Sequence, residues 1–244
     1  MLSVIKVIAL KKERMNFMHT IVRTRNLCKQ YKETTALHNV SIHIPQGSIY
    51  GLIGNNGAGK TTLLRILAKL QTQTAGTIIK SEGSKMGALI EVPALYPTLS
   101  ARGNLEYQLR ISGYSKKECK KKIRELLSLV HLKDSRKLVM HYSLGMRQRL
   151  ALAMALVSEP DFLILDEPLN GLDPEGIKDI RSILLELNQK FNVTILISSH
   201  ILGELQKVAT DYGFLKNGIL IREFSSSEIE DEDLEVFYFK NILS

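Results

Sequence analysis

From His19 to Ile53, short β-rich runs alternate with turn residues: Thr20-Ile21-Val22-Arg23, then Ala36 through Ile44, then Pro45-Gln46-Gly47 and the apolar run Ser48-Ile49-Tyr50-Gly51-Leu52-Ile53. The pattern predicts an antiparallel β element ahead of a buried strand. Residues 75–90 read as turn and strand again, ending in Met86-Gly87-Ala88-Leu89-Ile90. Between about 99 and 157 the period changes to a helical one, with Leu126, Leu127, Val130 and Leu132 as a core-facing stripe. Phe162-Leu163-Ile164-Leu165 and Val193-Thr194-Ile195-Leu196-Ile197 are then almost wholly apolar, as strands covered on both faces are. Between them, Asp173-Pro174-Glu175 starts a helix, with Asp as cap and Pro at the first helical position. Ile177, Ile180, Ile183, Leu184 and Leu187 share one face of it. Tyr212 to Phe224 reads as a hairpin turning at Asn217-Gly218. No internal repeat appears. The chain is expected to be α/β, with two α/β portions flanking a helical insertion.

The junction at Ile53 carries the clearest chemistry. Gly54-Asn55-Asn56-Gly57-Ala58-Gly59-Lys60-Thr61 fits G-x-x-x-x-G-K-[ST], between the apolar run and Thr62-Leu63-Leu64-Arg65-Ile66-Leu67-Ala68 at helical spacing. Glycines let successive N–H groups turn toward phosphate oxygens, and the helix N-terminus adds positive potential. Lys60 is expected to reach the β/γ-phosphates and the Thr61 hydroxyl to ligate Mg²⁺, with Thr62 beside them in the phosphate-binding set. An acid ending a buried strand, Asp166, suits Mg²⁺, and the next carboxylate, Glu167, suits a base that takes a proton from water.

Tyr142-Ser143-Leu144-Gly145-Met146-Arg147-Gln148-Arg149-Leu150 places a serine and a glycine ahead of another long helix. On pattern alone Ser143 reads first as an ordinary helix cap. One site does not need two phosphate-facing helix N-termini, but a dimer exchanging them does.

Charge and composition narrow the picture. Hydrophobic residues make up 44% of the 244 positions and charged ones 24%, as in ordinary globular proteins. No run of about 18 apolar residues is present to span a bilayer. Cys28 and Cys119 match no metal spacing and read as reduced thiols. The total charge is +8, but residues 225–244 hold six acids (Glu228, Glu230, Asp231, Glu232, Asp233, Glu235) against Lys240, a net of −5 that leaves +13 elsewhere. This acidic tail is expected to be solvated, with Phe237-Tyr238-Phe239 as a docking candidate. The +13 surplus suits nucleic acid, an anionic membrane surface or plain solubility. The densest basic cluster, from Lys116 to Arg124, reads as a solvated helix face, and no nucleic acid is expected as a partner. Residues 1–17 form an extension whose apolar stretch precedes its Lys11-Lys12-Glu13-Arg14 run, the reverse of a signal peptide, and translation is expected to begin at Met15 or Met18.

The order of the P-loop, Tyr142-Ser143-Leu144-Gly145-Met146, Leu165-Asp166-Glu167-Pro168, Gly171-Leu172-Asp173 and Ile197-Ser198-Ser199-His200 resembles the ATP-binding cassette (ABC) transporter ATPases over roughly residues 20–224. The resemblance implies a P-loop NTPase core of RecA type, an antiparallel β subdomain and an inserted helical subdomain at about 95–157, within an ATPase domain of residues 18–224. It implies ATP and Mg²⁺, a head-to-tail dimer of two copies, and separate integral membrane permease subunits at whose cytoplasmic face the chain sits. Position by position, Ser143 and Gly145 match residues that contact the γ-phosphate bound to the opposite subunit, although Tyr142, Leu144 and Met146 depart from Leu-Ser-Gly-Gly-Gln. Tyr31, alone a half-buried strand residue, matches the aromatic that stacks on adenine. Asp173 matches the loop linking the two sites, and His200 the histidine that contacts the γ-phosphate. The other histidines match nothing.

Where the family usually has a glutamine near Mg²⁺ and the attacking water, this chain has Glu91, which adds a negative charge and a further candidate metal ligand. Glu91 together with the Tyr142–Met146 variant resembles the bacitracin-export and lantibiotic-immunity subgroup, whose membrane subunits expel peptide antibiotics. The groove from Glu91 to Tyr107 resembles the coupling surface to those subunits, with Gly103 in place of a usual acid. The rival expectation is a soluble ABC ATPase acting on ribosomes or DNA; the single cassette and the lack of a long coiled coil argue against it.

Overall fold

The computed structural model describes residues 20–91, 94–229 and 232–240, so the expected start at Met15 or Met18 lies outside the described residues. The antiparallel part begins with one long strand, β1 (Thr20–Tyr31), which changes partners along its length. Its first half pairs with β3 (His43–Pro45) and its second half with β2 (Thr34–Val40), while β5 (Ala75–Lys80) lies along its other edge. The run from Ala36 to Ile44 is therefore two strands, broken where the partner's register shifts.

The second sheet has the order β10-β9-β4-β8-β7-β6, formed by β4 (Ile49–Ile53), β6 (Met86–Leu89), β7 (Phe162–Asp166), β8 (Thr194–Ser199), β9 (Asp211–Lys216) and β10 (Ile219–Ser225). All neighbours are parallel except β10, which folds back on β9 through Asn217 and Gly218, both at positive φ (49° and 76°). A two-residue turn of that hand matches the strand twist.

Two-residue periodicity divides the parallel strands between two cores. Tyr50, Leu52, Phe162, Ile164 and Leu196 face the antiparallel sheet and helix α1 (Lys60–Leu67), which adds Leu63, Leu64, Ile66 and Leu67. Ile49, Ile53, Leu163, Leu165, Ile195 and Ile197 face the other way, onto the helices. These are α2 (Ala101–Ile111), α3 (Lys116–Leu129), α4 (Leu144–Ala155) and α5 (Pro174–Phe191). The stripe Leu126, Leu127, Val130 and Leu132 is buried there, and Lys116, Lys117, Lys120, Lys121 and Arg124 are exposed. Asp173 caps α5 by accepting a hydrogen bond from the Gly176 N–H at 2.9 Å.

The segment expected to be a solvated tail docks instead. Helix α6 (Leu202–Gln206) holds it: Gln206 accepts from the Leu234 N–H and donates to the Glu232 carbonyl, both at 3.0 Å. Helix α7 (Leu234–Tyr238) then buries Leu234, Phe237 and Tyr238, with the Phe237 ring tilted against Phe224 at 4.8 Å and Tyr238 edge-on to Phe214 at 5.1 Å. Aromatic burial outweighs the charge pattern here. No helix among the described residues is long and apolar enough to cross a membrane.

Candidate functional site

Strand β4 delivers the chain into the glycine-rich loop, and α1 takes it out at Lys60. A Cβ on Gly54 would stand 2.3 Å from the Leu215 carbonyl, and one on Gly59, at φ +104°, would stand 2.7 Å from the Ala36 carbonyl. Only glycine lets the loop pass between β2 and β9. The hairpin turn fastens it: the Gly218 N–H donates to the Ala58 carbonyl at 2.9 Å, and the His38 N–H to the Gly218 carbonyl at 2.7 Å. Lys60 is 6% exposed. Its ammonium donates to the Gly54 carbonyl at 2.6 Å and lies 3.2 Å from Glu167 Oε1, so it is folded into its own loop.

The ends of β7 and β8 bring the acids to that ammonium. Thr61 Oγ1 donates to Asp166 Oδ2 at 2.7 Å, and Ser198 Oγ donates to Asp166 Oδ1 at 2.6 Å. The Glu167 N–H donates back to Ser198 Oγ at 2.9 Å, and Glu167 Oε2 lies 2.7 Å from His200 Nδ1. Glu167 has φ +47°, an uncommon conformation for a residue with a Cβ, held by this network. Its Oε1 is buried with no hydrogen-bond donor, the Lys60 contact being an ion pair without hydrogen-bond alignment. An unsatisfied buried carboxylate oxygen beside a hydroxyl–carboxylate pair has room for a polar ligand. The hard oxygens of Thr61 and Asp166 suit Mg²⁺. Among the described residues no three His, Cys, Asp or Glu side chains cluster as a metal cage, so such an ion would complete its shell with phosphate and water, as Mg²⁺ does.

The remaining candidates sit around this centre. Glu91 pairs with Arg65 of α1 and lines the same cavity, about 640 Å³, as Arg147, Gln148, Asp166, Glu167 and Asn170. It is not clustered with Asp166 and Glu167 as a ligand set. Tyr31 ends β1 with its ring 40% exposed, its hydroxyl bonded to Gln71 and Lys29 over its face at 5.0 Å. Ser143 caps α4, accepting from the Met146 N–H at 3.3 Å, and Gly145 packs on Leu172 and Gly176. Among the described residues, neither Ser143 nor Gly145 has a hydrogen bond to the glycine-rich loop. Asp173 is engaged as the α5 cap. A larger cavity, about 910 Å³, lined by Leu126, Leu156, Leu187 and Phe191, touches none of these residues.

Ser198, in the sequence only one residue of Ile197-Ser198-Ser199-His200, bridges both acids in the fold. Its signal is a polar residue, fully buried, at the end of an apolar strand. Arg65 was missed as well, because its partner lies across the fold.

Comparison with known proteins matches this geometry. The ABC transporter family profile covers residues 37–170. The bacitracin transport ATP-binding protein BcrA of Enterococcus faecalis is 42% identical over 225 residues, 88% of this chain and 72% of BcrA. The lantibiotic transport ATP-binding protein SrtF of Streptococcus pyogenes is 41% identical over 222 residues, 87% of this chain and 95% of SrtF. Among solved structures, a dimeric, post-hydrolysis ATP-binding cassette bound to ADP and Pi superposes with a TM-score of 0.76 at 27% identity, covering 84% of this chain and 99% of that one. The family profile, the sequence relatives and the two-sheet fold agree: the chain belongs to the ABC transporter family.

Proposed function

We propose that this chain is the ATP-hydrolysing subunit of an exporter that removes peptide antibiotics through separate membrane permease subunits. The observation that carries the enzymatic part is the unbroken path Thr61–Asp166–Ser198–Glu167–His200, closed by Lys60 on Glu167. The similarity to bacitracin and lantibiotic transport proteins supports the cargo class.

In this reading ATP lies along Gly54–Thr62, with Asn55, Asn56, Gly57, Ala58 and Gly59 presenting backbone N–H groups and Tyr31 stacking on adenine. Lys60 exchanges the Gly54 carbonyl and Glu167 for phosphate oxygens, which releases Glu167 Oε1. Thr61 and Asp166, with Glu91 as a further candidate, would hold Mg²⁺, which would supply charge neutralisation on the phosphates. Glu167 takes a proton from water as the water oxygen bonds to the γ-phosphorus and the bond to ADP breaks. His200 holds Glu167 through Oε2, leaving Oε1 to face the water. A second copy contributes its own Ser143 and Gly145 to the γ-phosphate, and Asp173 links the two sites. Loss of the γ-phosphate opens the dimer, and the opening works the permease at the cytoplasmic face of the membrane.

The test is genetic and biochemical together. Deleting the gene in its host is expected to lower tolerance to bacitracin or a lantibiotic, with rescue by the wild-type chain and none by Glu167→Gln. The tagged chain is expected to purify with small integral membrane proteins. Unchanged tolerance together with co-purification of ribosomes would instead establish the soluble alternative.

A further inference from the structure

Two pairs stand one above the other on α1. Arg65 follows Thr61 by four positions, so their side chains share one face of the helix, about 6 Å apart along its axis. Thr61 engages Asp166, and one turn on, Arg65 engages Glu91. The strands explain the match. β6 and β7 are parallel neighbours with Leu89 opposite Leu165, so Glu91 leaves the sheet beside the end of the strand that delivers Asp166 and Glu167. Glu91 does so at φ +62°, a left-handed conformation uncommon for a residue with a Cβ. The result is one cavity bordered by three carboxylates, Glu91, Asp166 and Glu167. Lys60 offsets Glu167, while Thr61 and Ser198 satisfy Asp166. Arg65 offsets Glu91.

A triphosphate on Gly54–Thr61 lies beside the Asp166–Glu167 border of this cavity and meets repulsion from any nearby carboxylate not held by a cation, most of all when no metal accompanies the nucleotide. We propose that Arg65 is a positioning residue that holds the Glu91 carboxylate one helical turn away from the Thr61–Asp166 pair, so that the glycine-rich loop accepts triphosphate before Glu91 is drawn toward it. The inference rests on ATP binding at Gly54–Thr61 and adds to it the device that makes a glutamate tolerable at this position. A glutamine in place of Glu91 carries no charge and needs no such partner.

The test is ATP affinity of the full chain in EDTA, read by calorimetry, for wild type, Arg65→Ala, Arg65→Lys, Glu91→Gln and the double variant Arg65→Ala with Glu91→Gln. Arg65→Ala is expected to weaken metal-free ATP binding by roughly five-fold, the scale of one like-charge contact about 4 Å apart and fully screened by water, since Arg65 and Glu91 are both partly exposed. Arg65→Lys is expected to keep the affinity, because an ammonium still holds the carboxylate. In the Glu91→Gln background, Arg65→Ala is expected to change nothing. A merely structural role for Arg65 would give the same loss with or without the Glu91 charge, and that result overturns the inference, as does an unchanged affinity for Arg65→Ala alone. Wild-type chain that binds no ATP overturns the nucleotide assignment itself, a separate and visible failure.

Discussion

Thr61 and Asp166 are 105 residues apart in the chain and 2.7 Å apart in space, joined by a hydrogen bond from hydroxyl to carboxylate. The bond fastens the first turn of α1 to the end of β7, two elements from different sides of the helical insertion. Everything proposed for catalysis is arranged outward from that contact, through Ser198 to Glu167 and His200.

Glu167→Gln keeps the shape of the side chain and removes the base. ATP binding is expected to remain, and steady-state phosphate release to fall by at least ~10²-fold. A correctly folded variant with near-normal turnover would take Glu167 out of that role.

Gly54→Ala puts a methyl group 2.3 Å from the Leu215 carbonyl, a backbone atom that cannot turn away. Loop or strand must shift, at a cost of about 1–3 kcal/mol. Thermal melting is expected to show lowered stability and calorimetry a loss of ATP binding, whereas Gly57→Ala, with open space around its Cβ but φ +81°, is expected to be milder.

Ser143→Arg alters an exposed cap at the start of α4. Losing the cap costs about 1 kcal/mol. Because the glycine-rich loop of the same chain is untouched, ATP affinity of the monomer is expected to hold. ATP-dependent dimerisation, measured by light scattering in the Glu167→Gln background, is expected to disappear. With Glu167 intact, turnover is expected to fall about a hundred-fold. Retained dimers would dismiss the exchanged-helix arrangement.

A buried carboxylate far from the proposed chemistry makes stability pH-dependent. Glu223 accepts hydrogen bonds from the Tyr50 hydroxyl at 2.7 Å and the His43 N–H at 2.9 Å, joining the two sheets. Burial raises its pKa despite those bonds, which lower it. An acid raised in the folded state is stabilising while protonated, below its unfolded value of 4.5, and that contribution is lost as pH rises through the folded value. Glu223→Gln keeps the accepting oxygen and has no charge to bury. It is expected to melt higher than wild type at pH 7, with the difference shrinking toward pH 4. His43, lowered chiefly by burial and then by Arg23, acts with the opposite sign, favouring the fold above 6.5 and opposing it as pH falls below that value. Comparing variant with wild type at each pH cancels that term, and equal melting at pH 7 would contradict the burial argument.

Local signals carried much of this structure. Gly54–Thr61 announced strand, loop and helix because glycine positions answer to close contacts with Leu215 and Ala36. Asn217-Gly218 announced the hairpin because both residues take positive φ, and Asp173-Pro174 announced α5 because cap and first turn are chemically distinct. What depends on distant partners was not legible. The bulges near Leu27 and Lys29 hide the full length of β1 by breaking its alternation. Phe237-Tyr238-Phe239 marked the tail as able to dock, but where it lands depends on Phe214 and Phe224, and Leu234 among the acids gave no such signal. Arg65 looked like any surface arginine of an amphipathic helix until Glu91 came to meet it from across the sheet.

The bond from Gly218 to Ala58 has a consequence for synthesis. The phosphate loop emerges from the ribosome early, yet the backbone that braces it, at Leu215 and Gly218, is made some 160 residues later. A nascent chain holding Gly54–Thr61 but not yet the last hairpin has the letters of the nucleotide site without its walls. The walls of the loop are therefore complete only once the last hairpin has joined the sheet.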